Sequence, residues 1–288
     1  MATAPSALTR PDQPAIAYET HGPEDGEPVI FAHGGGQTRH AWKGAAAQLA
    51  ASGGWRTVAI DLRGHGDSGW AGEGGYGIEK FAGDLIAMAD HVAPGSLRPH
   101  VVGASLGGIA SLVAEGFVRP GSFATITLVD IVPRMSDEGR DRVTGFMGRH
   151  AEDGFATLEE AADVIAEYLP HRPRPKSLEG LKKNLRHGED GRWRWHWDPA
   201  FMGGTRGTRG NDWSDRLEQA VAAIACPIHL VRGRSSELVD EEAARHFRTV
   251  VPSAEYTDVE GARHMVAGDE NDAFGEAVAA FLNTHRQD

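Results

Sequence analysis

The sequence is poor in the residues and patterns that mark several large classes of protein. It has a single cysteine, Cys226, among 288 residues, which excludes an internal disulfide framework and a cysteine-rich metal cluster. No segment approaches the roughly 18–20 consecutive apolar residues that a membrane-spanning helix needs. The first twenty or so residues do not combine a basic start with an apolar run, so no secretory signal is predicted. Together these absences favour a cytoplasmic protein with no membrane partner.

Positive charge is also scarce. The sequence has 29 Lys and Arg residues against 41 Asp and Glu residues, and its formal net charge is −12. Because such a protein repels polyanions, we expect no nucleic-acid partner, although residues 171–197 are basic and rich in tryptophan. No set of His, Asp and Glu residues has the spacing of a metal site. We therefore expect neither a metal nor another cofactor, while a monomer and a homodimer both remain open.

Short runs rich in Val and Ile alternate along the chain with alanine-rich helical patterns. This alternation predicts βαβ units, and hence an α/β fold with a doubly wound, mostly parallel sheet that has helices on both faces. Residues 15–20 are expected to add an antiparallel strand at the edge of this sheet. The predicted buried strands lie at 28–33, 55–62, 99–104, 123–132 and 227–233.

The alternation stops between residues 133 and 213, where the chain becomes more polar and favours helices. We interpret this stretch as a helical cap inserted between two parts of one core, 1–132 and 214–288. Such inserts can close a ligand pocket over the sheet. The large side chains expected to line that pocket are Phe146, Met147, Tyr168, Trp193, Trp195, Trp197, Phe201 and Met202.

The pentapeptide Gly103-Ala104-Ser105-Leu106-Gly107 lies between a predicted buried strand and a helix made of small residues. In this context a serine sits on a sharp, strained turn that exposes its hydroxyl above the sheet. The flanking glycines at 103 and 107 are expected because a Cβ there would collide with the neighbouring strand and helix. Ser105 is therefore the candidate nucleophile.

A glycine-rich loop, Gly34-Gly35-Gly36, follows the strand that ends at His33. Backbone N–H groups in such a loop can approach a developing oxyanion without obstruction by side chains. We predict that the N–H of Gly35 and the N–H of Leu106, at the start of the following helix, form an oxyanion hole. His33 itself is interpreted as a structural hydrogen-bonding residue.

A serine nucleophile needs a base, and position along the chain selects His264 from the fourteen histidines. It lies in a loop after the last predicted strand, at the end of the sheet where the serine also emerges. The acid that orients this histidine is predicted to be Asp130, because a carboxylate at an apolar strand end is costly unless it is paired. Glu237, followed by Asp240, is the alternative.

Several blocks of this sequence resemble the α/β-hydrolase family: HGGG at 33–36, DLRGHGDS at 61–68, GASLGG at 103–108 and GARHM at 261–265. The resemblance covers nearly the whole chain outside the cap, and it implies an α/β-hydrolase core with a triad in the order serine, acid, histidine. Many members carry an aspartate at the position that Ser236 occupies here. Similar esterases and dehalogenases instead place the acid after the sixth strand, and this arrangement implies Asp130.

The nucleophile narrows the predicted chemistry. Epoxide hydrolases and haloalkane dehalogenases resemble this framework but need a carboxylate nucleophile, so Ser105 favours acyl chemistry. We expect a serine hydrolase that cleaves carboxylic esters of small to medium, partly apolar substrates through an acyl-enzyme. The alternatives are a lactonase, a carbon–carbon bond hydrolase or a cofactor-free perhydrolase that uses the same triad. A receptor-like binding protein with little turnover is the alternative from another class.

Overall fold

The computed structural model of the protein describes residues 5–93, 96–170, 174, 177–204, 211–269 and 271–287. The strands are β1 (Ser6–Arg10), β2 (Gln13–His21), β3 (Glu27–Ala32), β4 (Trp55–Ile60), β5 (His100–Ala104), β6 (Ile126–Val129), β7 (Leu185–His187), β8 (Trp193–Trp195), β9 (Ile228–Gly233) and β10 (Glu255–Val259). The helices are α1 (Lys43–Ala51), α2 (Ile78–Val92), α3 (Leu106–Val113), α4 (Asp137–Gly148), α5 (Leu158–Tyr168), α6 (Phe201–Gly204), α7 (Asn211–Ala223), α8 (Glu241–Val250), α9 (Val266–Asp269) and α10 (Asn271–Thr284). Within the described residues, no helix is both long and apolar enough to span a membrane.

The main sheet has eight strands in the order β1-β2-β4-β3-β5-β6-β9-β10. All neighbours from β4 to β10 in this order are parallel, whereas β2 is antiparallel to both β1 and β4. The predicted α/β fold with a mostly parallel, doubly wound sheet is therefore confirmed. Parallel strands end at the same edge of a sheet, so the loops after β3, β5, β6 and β10 lie together.

The prediction that residues 15–20 form the edge of the sheet was wrong. These residues form part of β2, which is antiparallel as expected but pairs on both sides, and β1 takes the edge instead. The β1–β2 hairpin turns at Asp12, which adopts a positive φ of 56°. The edge strand β1 is five residues long and largely exposed, so it carries little of the hydrophobic pattern that predicted the inner strands.

Apolar side chains cover both faces of the sheet. On one face, Trp42, Phe274 and Phe281 pack with the side chains of β3 and β4 under α1 and α10. On the other face, Phe81 from α2 and Phe247 from α8 belong to a second cluster with the alternate residues of the strands. This burial holds the carboxyl ends of the strands in fixed relative positions, which is what a site assembled from several loops requires.

The predicted cap segment contains helices α4, α5 and α6, a 3₁₀ helix (Leu178–Lys183) and the antiparallel hairpin β7–β8. The hairpin carries the tryptophan-rich run, which its sequence did not reveal as strand. Helix α7 crosses the predicted boundary at 213. Residues 171–173, 175–176 and 205–210 of the predicted cap lie outside the described residues, and the limits of the cap remain a prediction.

Candidate active site

Ser105 stands on the strained turn that the sequence predicts. It follows β5 directly, precedes α3, and has φ +45° and ψ −111°. A Cβ added at Gly103 would lie 2.7 Å from the Cα of Gly108, and one added at Gly107 would lie 2.3 Å from the carbonyl oxygen of Ala32 in β3. The expected steric need for glycine at 103 and 107 is confirmed, since this turn closes only where both side chains are absent.

Replacement of Gly107 by alanine tests this packing. We expect Gly107→Ala to lower the free energy of unfolding by about 3 kcal/mol, because its Cβ meets the backbone of a central strand that cannot move aside. Gly83→Ala is the matched control, since Gly83 lies within α2 and a Cβ there meets nothing within 4 Å. That control is expected to be neutral or stabilising by up to about 1 kcal/mol. Equal urea midpoints for the two variants would contradict the argument.

His264 and Asp130 are in direct contact. The Nδ1 of His264 lies 2.8 Å from Oδ2 of Asp130, and the Asp130 side chain is fully buried. The same carboxylate accepts hydrogen bonds from the backbone N–H of Gly233 (3.0 Å) and from the hydroxyl of Ser236 (2.5 Å). These donors satisfy a buried charge that would otherwise be costly. Asp130 takes up a positive φ of 51° directly after β6, a conformation that Asp tolerates better than most residues.

The structure separates Asp130 from the two other carboxylates considered for this role. Asp240 accepts a hydrogen bond from the N–H of Ala243 and caps α8. The buried Oε2 of Glu237 has no hydrogen-bond partner in the described part of the chain. Ser236, where the family resemblance led us to look for an aspartate, donates its hydroxyl proton to Asp130 and accepts from two backbone N–H groups.

The glycine loop after β3 has one N–H group that stays unused. Gly34 donates to Oε1 of Gln37 (3.0 Å), and Gly36 donates to Nε2 of His65 (3.1 Å). Among the described residues, Gly35 N–H has no acceptor. Leu106 is the first residue of α3, so its N–H also has no partner within the helix. Both residues border the same cavity as Ser105, as expected if they are to bind an anion there.

Three buried histidines hold this loop in place. The Nδ1 of His33 donates to the carbonyl of Gly34 and its Nε2 accepts from Leu62 N–H. The Nε2 of His65 accepts from the N–H of Gly36, and Nε2 of His196 donates to the Gly36 carbonyl (3.2 Å). Burial lowers the pKa of His33, His65 and His196 to about 3, so all three are neutral at physiological pH. His33 is thus a structural hydrogen-bonding residue and lacks the free nitrogen that a base needs.

His196 and Asp198 were missed by the sequence analysis. Both lie in the tryptophan-rich run, whose only visible signal was a pair of polar residues among aromatic ones. His196 Nδ1 accepts from the N–H of Gly66, and Asp198 accepts from the hydroxyl of Tyr76 (2.6 Å). The bond from Gly66 attaches the segment after β8 to the DLRGHGDS loop, and the bond from Tyr76 attaches it to the residues just before α2. That loop is itself braced, since Arg39 pairs with Asp61.

The neutral histidines predict a pH-dependent stability. An unfolded chain binds protons at these histidines below pH 6.5, whereas the folded chain binds them only near pH 3. The free energy of unfolding therefore falls as the pH falls through this window, by about 2 kcal/mol for each histidine at pH 5. Urea midpoints at pH 7.5 and pH 5 measure the loss. His65→Gln is expected to reduce it, whereas the exposed control His91→Gln should not; a loss that His65→Gln leaves unchanged would refute the assignment.

A cavity of about 670 Å³ lies over Ser105, His264 and the glycine loop. Of the large side chains expected to line it, Trp193 and Met202 do not. The side chains that do are Phe146, Met147, Tyr168, Trp195, Trp197 and Phe201. Aromatic packing fixes several of them, since the rings of Trp195 and Trp197 are stacked, as are those of Phe146 and Tyr168. In the described part of the chain, no three His, Cys, Asp or Glu residues are grouped to hold a metal.

Ser105, Asp130 and His264 all follow the carboxyl ends of strands in the parallel sheet, and comparison with known proteins shows the family to which the chain belongs. The sequence profile of the alpha/beta hydrolase family matches residues 29–277. The chain belongs to the α/β-hydrolase family. This α/β hydrolase is 31% identical over 261 residues to esterase Rv0045c of Mycobacterium tuberculosis. The matched region covers 89% of this chain and 83% of the esterase.

Solved structures agree with the fold of this α/β hydrolase. A crystal structure of the same M. tuberculosis esterase superimposes with a TM-score of 0.73 and 26% identity, over 98% of this chain and 93% of the esterase. The structure of E-2-(acetamidomethylene)succinate hydrolase has a TM-score of 0.81 at 24% identity, over 94% of this chain and 96% of that one. At that level of identity the second likeness shows the fold alone.

Proposed function

We propose that this α/β hydrolase cleaves carboxylic esters of small to medium, partly apolar substrates with Ser105 as its nucleophile. The observation that carries the proposal is the hydrogen bond from His264 Nδ1 to the buried Asp130 carboxylate (2.8 Å), beside a serine held at a positive φ. That bond fixes the ring so that Nε2 is the free basic nitrogen. The similarity to an esterase over most of the chain supports the same activity.

In the proposed reaction, Ser105 Oγ attacks the carbonyl carbon of the ester while His264 Nε2 takes the hydroxyl proton. Among the described residues, Ser105 Oγ has no hydrogen-bond partner; contacts between nucleophile and base commonly tighten only when substrate binds. Asp130 stabilises the imidazolium that forms. His264 then donates the proton to the leaving alcohol, and the acyl group remains on Ser105.

Water completes the cycle. His264 removes a proton from a water molecule, whose oxygen attacks the acyl carbonyl. The imidazolium then returns this proton to Ser105 Oγ as the carboxylic acid leaves, which restores both side chains. In both steps the carbonyl oxygen becomes negatively charged, and the N–H groups of Gly35 and Leu106 are proposed to donate to it. Each such donor is worth about 3 kcal/mol in comparable sites. The bonds that engage Gly34 and Gly36 keep the loop rigid, so the Gly35 donor needs no rearrangement during reaction.

Turnover of 4-nitrophenyl esters with acyl chains of graded length tests the function. The mostly apolar cavity is large enough for a drug-sized ligand, so we expect multiple turnovers of acetate, butyrate and hexanoate esters, with kcat of about 1–10³ per second. Saturable binding of these esters without repeated turnover would contradict the proposal and favour a receptor-like protein. Hydrolysis of lactones but of no acyclic ester would replace the proposed substrate class.

A further inference from the structure

The Lys, Arg, Asp and Glu side chains that border the cavity, among the residues that the structure describes, are all cationic. Within the described residues, Arg140, Arg174 and Lys183 border it, and no Asp or Glu does. The chain as a whole has a net charge of −12, so this wall differs sharply from the average composition of the protein. A cleft lined by one sign of charge and by apolar walls focuses its field on the ligand. The arrangement favours a negatively charged substrate over a neutral one.

The three cations differ in their partners. Arg140 is paired with Asp137 (2.7 Å) and Arg174 with Asp163 (2.9 Å), so neighbouring acids largely neutralise both. Lys183 has no carboxylate within ion-pair distance among the described residues. The neighbouring Lys182, in contrast, is paired: its ammonium group lies 2.8 and 2.9 Å from the two carboxylate oxygens of Glu179. Of these three cations, Lys183 is therefore the one that no described carboxylate neutralises.

The surroundings of Lys183 fit a carboxylate. Asn184 borders the same cavity, and the amide of an asparagine side chain can donate hydrogen bonds to a carboxylate. His40 also borders the cavity; its pKa is lowered chiefly by burial, and the charges of Arg39 and Lys183 add to the effect against the opposing acids Asp61 and Glu19. With its pKa lowered, His40 adds no positive charge beside Lys183 at physiological pH.

Backbone contacts connect this corner of the cavity to the reacting end. Asn184 donates its N–H to the carbonyl of Leu181 (2.8 Å) and accepts from the N–H of His196 (3.1 Å). His196 in turn donates to the carbonyl of Gly36 beside the candidate oxyanion hole. Two hydrogen bonds of His196, one to Asn184 and one to Gly36, thus connect the backbone beside Lys183 to the glycine loop.

We propose that Lys183, with Asn184 beside it, forms a subsite for a carboxylate that the substrate carries away from its scissile ester. The preferred substrates are then anionic monoesters, in which one carboxylate is free and one is esterified. This inference rests on the proposed function, because it names the substrate class of that same site. Lysine recognises such a group as a point charge, so the subsite accepts carboxylates at somewhat different distances from the ester.

Matched pairs of charged and neutral esters test the subsite. One pair, mono-4-nitrophenyl adipate and 4-nitrophenyl adipamate, places the carboxylate or carboxamide in the acyl part. The acetate esters of 4-hydroxybenzoate and 4-hydroxybenzamide place it in the alcohol part. We expect at least one pair to show a preference for the anion of about tenfold in kcat/KM, carried by KM, which weakens as ionic strength rises.

Variants at two adjacent lysines assign the effect. Lys183→Met is expected to reduce the preference to about twofold or less while kcat for the neutral ester changes little. Lys182→Met is the matched control and should keep the preference, since its ammonium is paired with Glu179. A preference that survives in Lys183→Met, or no preference in either pair, would overturn the inference.

A binding measurement separates this inference from the hydrolytic function on which it rests. Calorimetry with monomethyl adipate compares Ser105→Ala with the double variant Ser105→Ala/Lys183→Met. If Ser105→Ala binds the ligand and the double variant binds it about tenfold more weakly, the anion subsite is supported. This holds even if the wild type turns over no ester, since that result would overturn only the proposed hydrolysis. Equal binding by the two proteins would refute the subsite whatever the outcome of the kinetics.

Discussion

Replacing Ser105 by alanine is expected to lower kcat for 4-nitrophenyl ester hydrolysis by at least about 10⁴-fold. The variant retains the oxyanion donors and the cavity but has no oxygen that can form the acyl bond. Only slow, direct attack of water on the bound ester therefore remains. KM is expected to change little because the hydroxyl is small and lies at the reacting carbon. Alanine at this strained position leaves the fold intact, since it keeps the same Cβ and loses no hydrogen bond that the structure gives Ser105.

The matched control is Ser111→Ala, six residues further on in α3. The hydroxyl of Ser111 donates to the carbonyl of Gly107 within the helix (2.7 Å) and does not border the cavity. This variant should keep kcat within about threefold of the wild type. A Ser105→Ala protein that folds normally and hydrolyses esters at more than one-tenth of the wild-type rate would show that another group attacks the substrate.

The second large effect is expected at Asp130. Asp130→Asn keeps the shape of the side chain and the oxygen that accepts from Gly233, but it places an amide donor opposite Nδ1 of His264. The imidazole then favours the tautomer with its proton on Nε2, which cannot accept a proton from Ser105. We expect kcat to fall by about 10³–10⁴-fold with little change in KM, as the loss of a triad carboxylate does in serine hydrolases generally.

Glu237→Gln is the informative comparison, because Glu237 is the alternative acid that the sequence left open. Its kcat is expected to stay within about twofold of the wild type, since the hydrogen bond from His264 goes to Asp130. A larger loss of kcat in Glu237→Gln than in Asp130→Asn, measured on the same ester, would reverse this assignment and place the acid in the loop after β9.

Much of the sheet could be predicted because its signal is local. The inner strands are short Val- and Ile-rich runs that lie under helices, so each run could be recognised from its own residues. The edge was misplaced because β1 has almost no buried side chains, and a polar five-residue strand leaves little pattern to recognise. The β7–β8 hairpin was missed for a related reason, since its pairing depends on contacts across a short turn and not on alternation with helices.

The residues of the candidate site likewise fall into those that a local sequence pattern predicts and those that depend on contacts between distant parts of the chain. Ser105, Gly35 and Leu106 lie in motifs whose backbone geometry is encoded by neighbouring glycines, so a local pattern was enough to predict their positions. The contact between Asp130 and His264 joins residues 134 positions apart; the sequence could order these candidates only by their place at strand ends. His196 reaches Gly66 across 130 positions, and a bond over that distance leaves no local trace. Ser236 also became interpretable only when its hydroxyl was seen to meet Asp130.

The most direct test of the central claim is to map the site of reaction with a fluorophosphonate probe, which phosphonylates activated serine hydroxyls. After incubation with the probe and proteolysis, mass spectrometry of the peptides should find one phosphonyl group on Ser105 in the wild type, with loss of ester hydrolysis in proportion to labelling. Ser105→Ala should carry no adduct, and Asp130→Asn should react far more slowly. An unlabelled wild-type protein that still hydrolyses esters, or an adduct at another serine, would contradict the account.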